Sequence, residues 1–152
     1  MAYGAQEARL QLLDDIAEAI ERLATALAEL GVAYEQLDEH SADRLEAALF
    51  RPVQLAYGRA RRTHAGFAER ARLPGRAFAP AAAPTLHHSP RELVERAVEA
   101  VEAADTILAD LQDSMRPVEV GDAELRAGLA DVRARLGPLP DGARDFTRTL
   151  GR

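Results

Sequence analysis

Residues Leu10–Leu37 read LQLLDDIAEAIERLATALAELGVAYEQL, and this stretch decides the fold. Its apolar residues recur at alternating spacings of three and four, which is the pattern of one face of an α-helix. Gly31 lies in phase within the run, so we place it inside the helix despite a cost of about 1 kcal/mol relative to Ala. The stretch therefore predicts one long helix over about 6–40. Its apolar stripe comprises Leu13, Ile16, Ile20, Leu23, Leu27, Leu30, Tyr34 and Leu37.

The positions that flank this stripe are small or apolar on both sides. A two-stranded coiled coil would carry charged residues there. We therefore expect the helix to be covered from several directions, as in a coiled-coil-like multi-helix bundle. The acidic residues fall on the remaining face, which we expect to be solvated. The flanking residues are Leu10, Leu12, Ala17, Ala19, Ala24, Ala26, Gly31 and Ala33, and the acidic residues are Asp14, Asp15, Glu18, Glu21 and Glu29.

A second helix is predicted over 41–72, with Ser41 as its N-cap. Pro52 lies inside it and should kink or split it, because proline lacks the N–H that the helix needs. Residues 73–89 contain three prolines and show no period, so they predict an irregular or extended linker. We expect Phe78 and Leu86 to hold this linker against the bundle.

Two further helices and a tail complete the chain. Ser89 with Glu92 forms the capping-box pattern, so a third helix is predicted over 90–116, with Met115 the last residue of its apolar stripe. Asp122 caps a fourth helix over 122–136. The tail, 137–152, can hold one more short helix from Ala143 to Leu150.

These elements predict a single all-α domain over residues 1–152. The predicted arrangement is an antiparallel four-helix bundle, up-down-up-down, with a long Pro/Ala-rich connection between helices 2 and 3 and a short C-terminal tail helix. Helix 1 would be about 50 Å long and helix 4 only about 22 Å. Either the linker and tail, or a second subunit, must cover the difference. We favour a homodimer, because long exposed apolar seams are rare on monomers.

Composition excludes several classes of protein. Hydrophobic residues make up 47% of the chain, which excludes a disordered protein, and the absence of Cys excludes disulfides and thiolate sites. No apolar run approaches the roughly 18 residues of a membrane span, and no signal peptide is evident, so we expect a soluble cytoplasmic protein with no membrane association. The net charge of −6 makes nucleic acid an unfavourable partner. Every basic residue is Arg, which we interpret as codon bias in a GC-rich, bacterial genome.

His64 is the first candidate for a ligand site. It lies in the apolar stripe of helix 2, where a buried imidazole can act as a tuned acid or base. With Tyr57 and Tyr34 it forms the predicted ligand-binding set. A structural histidine bonded to a neighbour is the more frequent alternative. The spacing of the four histidines matches no metal-binding motif, so we predict no metal and no cofactor.

A basic segment lies between Arg51 and Arg76. It carries seven Arg residues and only one acid, Glu69, in an otherwise acidic chain. We predict either a patch for an anionic partner or a basic helix neutralised by its acidic neighbours. The residues of the predicted patch are Arg59, Arg61, Arg62, Arg70 and Arg72.

The leading functional prediction is a non-enzymatic protein–protein interaction or scaffold module that acts through helical faces as a homodimer or with a helical partner. No catalytic motif is present, so we predict no catalytic residue. Two alternatives stay open. One is a bundle that binds a small ligand or metal near His64, and the other is a nucleic-acid-linked regulator that uses the Arg51–Arg76 segment.

Overall fold

The computed structural model describes residues 2–150 and the side chains of residues 4–150. Met1 and the end of the predicted tail, Gly151 and Arg152, lie outside the described residues. Over residues 2–150 the chain is helical and forms no strand, which confirms the all-α prediction. The elements are α1 Ala2–Gln36, α2 Glu39–Leu45, a π-helical turn Glu46–Phe50, α3 Arg51–Arg70, α4 Pro90–Asp113, α5 Arg116–Val120, α6 Ala123–Leu136 and α7 Leu139–Leu150.

The predicted second helix corresponds to α2, the π-helical turn and α3. Its N-cap is Asp38 rather than Ser41, because the Asp38 carboxylate accepts a hydrogen bond from the Ser41 backbone N–H at 2.8 Å. Pro52 lies at the start of α3, directly after the wide turn Glu46–Phe50. A π-helical turn lengthens the hydrogen-bonded ring, so the chain accommodates the missing N–H of Pro52 there.

The predicted capping box at the start of α4 is confirmed. The Ser89 side chain accepts a bond from the Glu92 N–H, and the Glu92 carboxylate accepts one from the Ser89 N–H. The end of this helix is corrected, since α4 stops at Asp113. Met115, predicted as the last residue of its stripe, has φ +65° and exposes half of its surface.

Contacts along α1 give the directions of its two main neighbours. Arg116, just after α4, lies 3.4 Å from Asp15, whereas Arg96, near the start of α4, lies 2.9 Å from Glu29. Helix α4 therefore runs antiparallel to α1. Helix α3 is also antiparallel to α1, because its first residues pack near Tyr34 and its second half packs near Leu13.

These directions correct the predicted up-down-up-down order at α4. Helices α3 and α4 run the same way, so residues 71–89 must return along the whole length of the molecule. Arg76 pairs with Glu21 near one end of this path, and the His88 carbonyl accepts a bond from Gln36 at the other. An extended linker of this length reaches about 55 Å, which exceeds the roughly 30 Å length of α3.

Helix α6 packs on α3 and also on α4. Its direction is antiparallel to α3, because Asp122 pairs with Arg70 and Asp131 pairs with Arg59. The two helices approach closely at Gly128, where a Cβ atom would lie 2.3 Å from the Thr63 hydroxyl oxygen. Only glycine fits at this crossing.

The core confirms most of the apolar stripe of α1, since its buried residues include Leu13, Ile16, Ile20, Leu23 and Leu30. Tyr34 is 37% exposed and packs edge-to-face with Phe50, and Leu37 lies beyond the end of α1 at Gln36. Glu29, predicted on the solvated face, is only 4% exposed, because α4 packs over it and Arg96 binds it. The predicted linker anchors also differ from each other: Phe78 is half-buried, but Leu86 is 75% exposed.

Other segments of the same chain cover the part of α1 that the predicted fourth helix is too short to cover. Helix α4 and the linker together accompany α1 from Asp15 to Gln36. The short helix α6 packs mainly on α3 and does not need to cover α1. Helix α7 packs on α4 and on the π-helical turn.

Candidate functional site: an apolar groove beside the linker

A half-open apolar groove of about 230 Å³ lies between α1, α3 and the linker. Most of its lining is alanine, leucine, proline and aromatic carbon, and its polar groups are the Gln54 amide and the Tyr57 hydroxyl. Both can form hydrogen bonds at the edge of an otherwise apolar contact. The lining residues are Ala24, Leu27, Ala28, Phe50, Gln54, Tyr57, Pro80 and Ala81.

The groove exists because α1 presents small residues where α3 presents large ones. Ala24 and Ala28 are one helical turn apart on α1, and they face Phe50 of the π-helical turn and Tyr57 of α3. At Gly31 a Cβ atom would lie at van der Waals distance, 4.0 Å, from the Phe50 ring. Small residues opposite aromatic ones leave a trough that no side chain of residues 4–150 fills.

The structure separates the residues of the predicted ligand set. Tyr57 lines the groove, and Tyr34 contacts its rim through Phe50, with ring centroids 6.1 Å apart. His64 does not line the groove. Its ring instead packs under Phe78 of the linker, with centroids 5.2 Å apart and planes at 90°.

His64 is almost fully buried, with 3% of its surface exposed, and its Nδ1 atom has no hydrogen-bond partner within residues 4–150. Burial lowers the pKa of His64, and the positive charge of Arg76 lowers it further, whereas the Leu13 carbonyl and Asp14 act in the opposite direction. The imidazole is therefore neutral at neutral pH. Among residues 4–150 no cluster of three or more His, Asp or Glu side chains is arranged to hold a metal ion.

Acidic residues of α6 and its N-cap pair with two of the five Arg residues of the predicted anionic-partner patch. Arg59 pairs with Asp131 at 3.0 Å, and Arg70 pairs with Asp122 and with Glu124, each at 2.8 Å. These pairs line a cleft between α3 and α6 in which acids of α6 offset the guanidinium charges. This arrangement favours the interpretation of a basic helix neutralised by its neighbours.

Of the remaining three Arg residues of the predicted patch, Arg62 lines the same cleft as Arg59 and Arg70, whereas Arg61 and Arg72 do not line it. Arg61 lies over the Tyr57 ring at 5.2 Å, where the guanidinium interacts with the aromatic face. Arg62 and Arg72 are exposed, and like Arg61 they form no ion pair among residues 4–150.

Asp122 combines two stabilising roles, and its removal should weaken the α3–α6 contact. Its carboxylate caps α6 by accepting a bond from Leu125 N–H, and it receives two bonds from Arg70. We expect Asp122→Ala to lower the free energy of unfolding by about 1–2 kcal/mol, as measured by urea titration at neutral pH. Asp141→Ala, at a side chain that is 81% exposed, is the control and should change it by less than about 0.5 kcal/mol.

The stability that Asp122 gains from its pair with Arg70 should depend on pH. The hydrogen bonds from Arg70 hold the pKa of Asp122 below its ordinary value of 3.8. A carboxyl with a lowered pKa contributes stability above its ordinary pKa and loses that contribution as the pH falls through the lowered value. The difference between wild type and Asp122→Ala should therefore shrink only below about pH 4. A difference that is constant down to about pH 2 would contradict this role.

The sequence contains part of the signal for the groove. Phe50, Gln54 and Tyr57 follow helical spacing, and Ala24 and Ala28 are one turn apart, so each row could be placed on one helix face. The third wall, Pro80 and Ala81, carries no such signal, because the linker is not periodic. Its position depends on the direction of α4, which periodicity does not report.

Comparison of the chain with protein-family models, curated proteins and solved structures finds no match. None of the described helices is both long enough and apolar enough to cross a membrane.

Proposed function

We propose that the chain is a non-enzymatic protein–protein interaction module that receives apolar side chains of a helical partner in the groove between α1, α3 and the linker. The groove itself is the observation that supports this proposal. Its volume of about 230 Å³ is below the roughly 300–1,000 Å³ of small-molecule pockets and suits one or two side chains. Aromatic residues and Arg at its edge, such as Tyr57 and Arg61, are the types enriched in protein interfaces.

The scaffold that we propose for this groove is an antiparallel four-helix bundle of α1, α3, α4 and α6. In this arrangement α1 lies between α3 and α4, and α6 closes the ring on the far side. The linker then joins two diagonal helices that run the same way. Such a crossover carries a chain segment over the surface of the bundle, where it can take part in binding.

We propose a second copy of the chain as the partner. A two-fold interface pairs the same surface of both copies, so that surface needs both a projecting side chain and a recess. Leu55 follows the groove residue Gln54 on α3 and exposes 51% of its surface. In the homodimer, Leu55 of each copy would enter the groove of the other. Another helical protein is the alternative occupant, and cytoplasm is the compartment that we propose.

Filling the groove tests this proposal. We expect the wild-type chain to shift from monomer to dimer mass with rising concentration, as measured by light scattering after size-exclusion chromatography. Ala28→Trp places an indole in the groove, and Leu55→Ser removes the projecting side chain. Each should weaken association at least about tenfold, or about 1.4 kcal/mol.

The matched control is Ala134→Trp, which adds the same indole at an exposed position of α6 and should leave association unchanged. Circular dichroism of each variant checks that the helices are retained. A wild-type chain that stays monomeric at every concentration would reject the second copy as the partner. A dimer that Ala28→Trp leaves intact would reject the groove as the interface.

The other two predicted functions have less support. The small-ligand alternative loses its central residue, since His64 lies under Phe78 and apart from the groove. The nucleic-acid alternative loses two of its guanidinium groups to acids of α6. A steep dependence of nucleic-acid binding on salt concentration would restore it.

A further inference from the structure

Phe78 holds in place the linker wall of the groove, which begins two residues later at Pro80. Phe78 packs its ring against His64 at a centroid distance of 5.2 Å, and Pro80 follows as a lining residue of the groove. Residues 74–84 form no backbone–backbone hydrogen bond with any other part of residues 2–150. The position of this wall therefore depends on side-chain contacts, and one of them joins the half-buried Phe78 to the buried His64.

The site of His64 fits the neutral imidazole and not the charged one. The ring is 3% exposed, and among the described residues Nδ1 has no acceptor beside it for the hydrogen bond that a second N–H would donate. A buried charge without a hydrogen-bond partner is strongly unfavourable, so protonation requires the ring to reach water. Phe78 is the side chain that must move for this to happen, because it lies over the ring and is itself only half-buried.

The charged groups that face His64 come from two elements. The guanidinium carbon of Arg76, in the linker, lies 5.3 Å from the Phe78 centroid, and Arg76 pairs with Glu21. A protonated His64 would be a second positive charge close to Arg76, and the two charges repel each other. Asp14 of α1 attracts the imidazolium, but it is exposed and therefore screened.

We propose that His64 and Phe78 form an acid-released latch, in which protonation of His64 frees residues 77–82 and opens the groove beside them. The latch is a property of the isolated chain, whereas its regulatory meaning rests on the proposed docking function. Burial and Arg76 both lower the pKa of His64, so release begins only as the pH falls below 6.5, the ordinary value for histidine. Above that range the linker stays closed.

The absence of native Cys allows a clean test with one engineered thiol. Ala79 is exposed and lies in the freed segment, so Ala79→Cys carries a nitroxide whose mobility is read by electron paramagnetic resonance at room temperature. We expect an immobilised label at about pH 7.5 and a mobile one at about pH 5, with circular dichroism unchanged. A nitroxide at Ala134→Cys on α6 is the control and should not respond.

Two substitutions test whether the pH-dependent mobility of the label depends on His64 and Phe78. With His64→Gln the label at position 79 should be insensitive to pH over this range, and with Phe78→Ala it should be mobile at both pH values. His87→Gln removes an exposed histidine and should leave the response intact. A wild-type label that does not change, or a change that persists in His64→Gln or in Phe78→Ala, overturns the latch. A loss of helicity at about pH 5 overturns it too, since release would then be general unfolding. If the latch responds but Ala28→Trp leaves association intact, the docking function fails and the latch stands.

Discussion

Gly128→Ala should destabilise the protein by about 2–3 kcal/mol, although the same change in an exposed helix stabilises by about 1 kcal/mol. Gly128 is buried in α6 where that helix crosses α3. A Cβ atom there would lie 2.3 Å from Oγ1, 2.7 Å from Cγ2 and 3.0 Å from Cβ of Thr63. Rotation of Thr63 cannot remove all three contacts, so α3 and α6 must move apart. Thermal and urea unfolding measure the effect.

The matched control for this prediction is Gly31→Ala on α1. A Cβ atom at Gly31 would find its nearest neighbour, the Phe50 ring, at 4.0 Å, which is an ordinary van der Waals distance. This variant should raise the free energy of unfolding by about 0.5–1 kcal/mol, because only the helix propensity of alanine acts.

Thr63→Ala tests the cause of the effect. In the Gly128→Ala background it removes the two closest atoms and should recover more than half of the lost stability, so the two sites are strongly coupled. Equal responses of Gly128→Ala and Gly31→Ala would contradict the close approach of α3 and α6.

Local signals in the sequence predict local structure well in this chain. The capping box at Ser89 and Glu92 sets the start of α4, and both of its hydrogen bonds are present. The periodic stripe of α1 reports correctly which face is buried, since Ile16, Ile20 and Leu23 are fully enclosed. Such signals act within one helix, so they do not depend on how the helices are connected.

The sequence does not determine the directions in which the helices run relative to one another. Apolar periodicity is the same whichever way a helix runs, so it does not report the direction of α4. The ion pairs of Arg116 with Asp15 and of Arg96 with Glu29 give that direction. The groove depends on that direction, because only a linker that returns along α1 brings Pro80 to Ala24. The sequence therefore groups Tyr57 with His64, although only Tyr57 lines the groove.

Glu29 shows why charge is a poor guide to exposure on a helix covered from several sides. Its position on α1 lies outside the main stripe, and a charged residue there predicts a solvated face. Packing of α4 over this position buries the carboxylate, and Arg96 donates two hydrogen bonds to Oε1, at 2.9 and 3.1 Å. Oε2 is buried with no partner, so the carboxylate depends on Arg96 alone.

Arg96→Ala should therefore lower Tm by about 5–10 °C, because it leaves the Glu29 carboxylate buried with neither oxygen bonded. The effect arises from the orphaned carboxylate and not from lost arginine contacts, since roughly half of the Arg96 side chain is exposed. Glu29→Leu removes that carboxylate and places an apolar side chain between α1 and α4. It should leave Tm unchanged or raise it, in the wild-type and in the Arg96→Ala background alike.

The double variant decides between these causes. If the orphaned carboxylate is responsible, Glu29→Leu combined with Arg96→Ala unfolds at the temperature of Glu29→Leu alone, and the cycle shows strong coupling. If Arg96 stabilises through its own packing, the double variant keeps the full loss of Arg96→Ala. The control is Arg22→Ala, which removes an exposed Arg paired with Glu18 at 3.9 Å and should change Tm by less than about 2 °C. Because Arg96 binds the buried Glu29 carboxylate, a single substitution at the surface weakens the α1–α4 contact. Calorimetric Tm values of the wild type, the two single variants and the double variant measure the size of that effect.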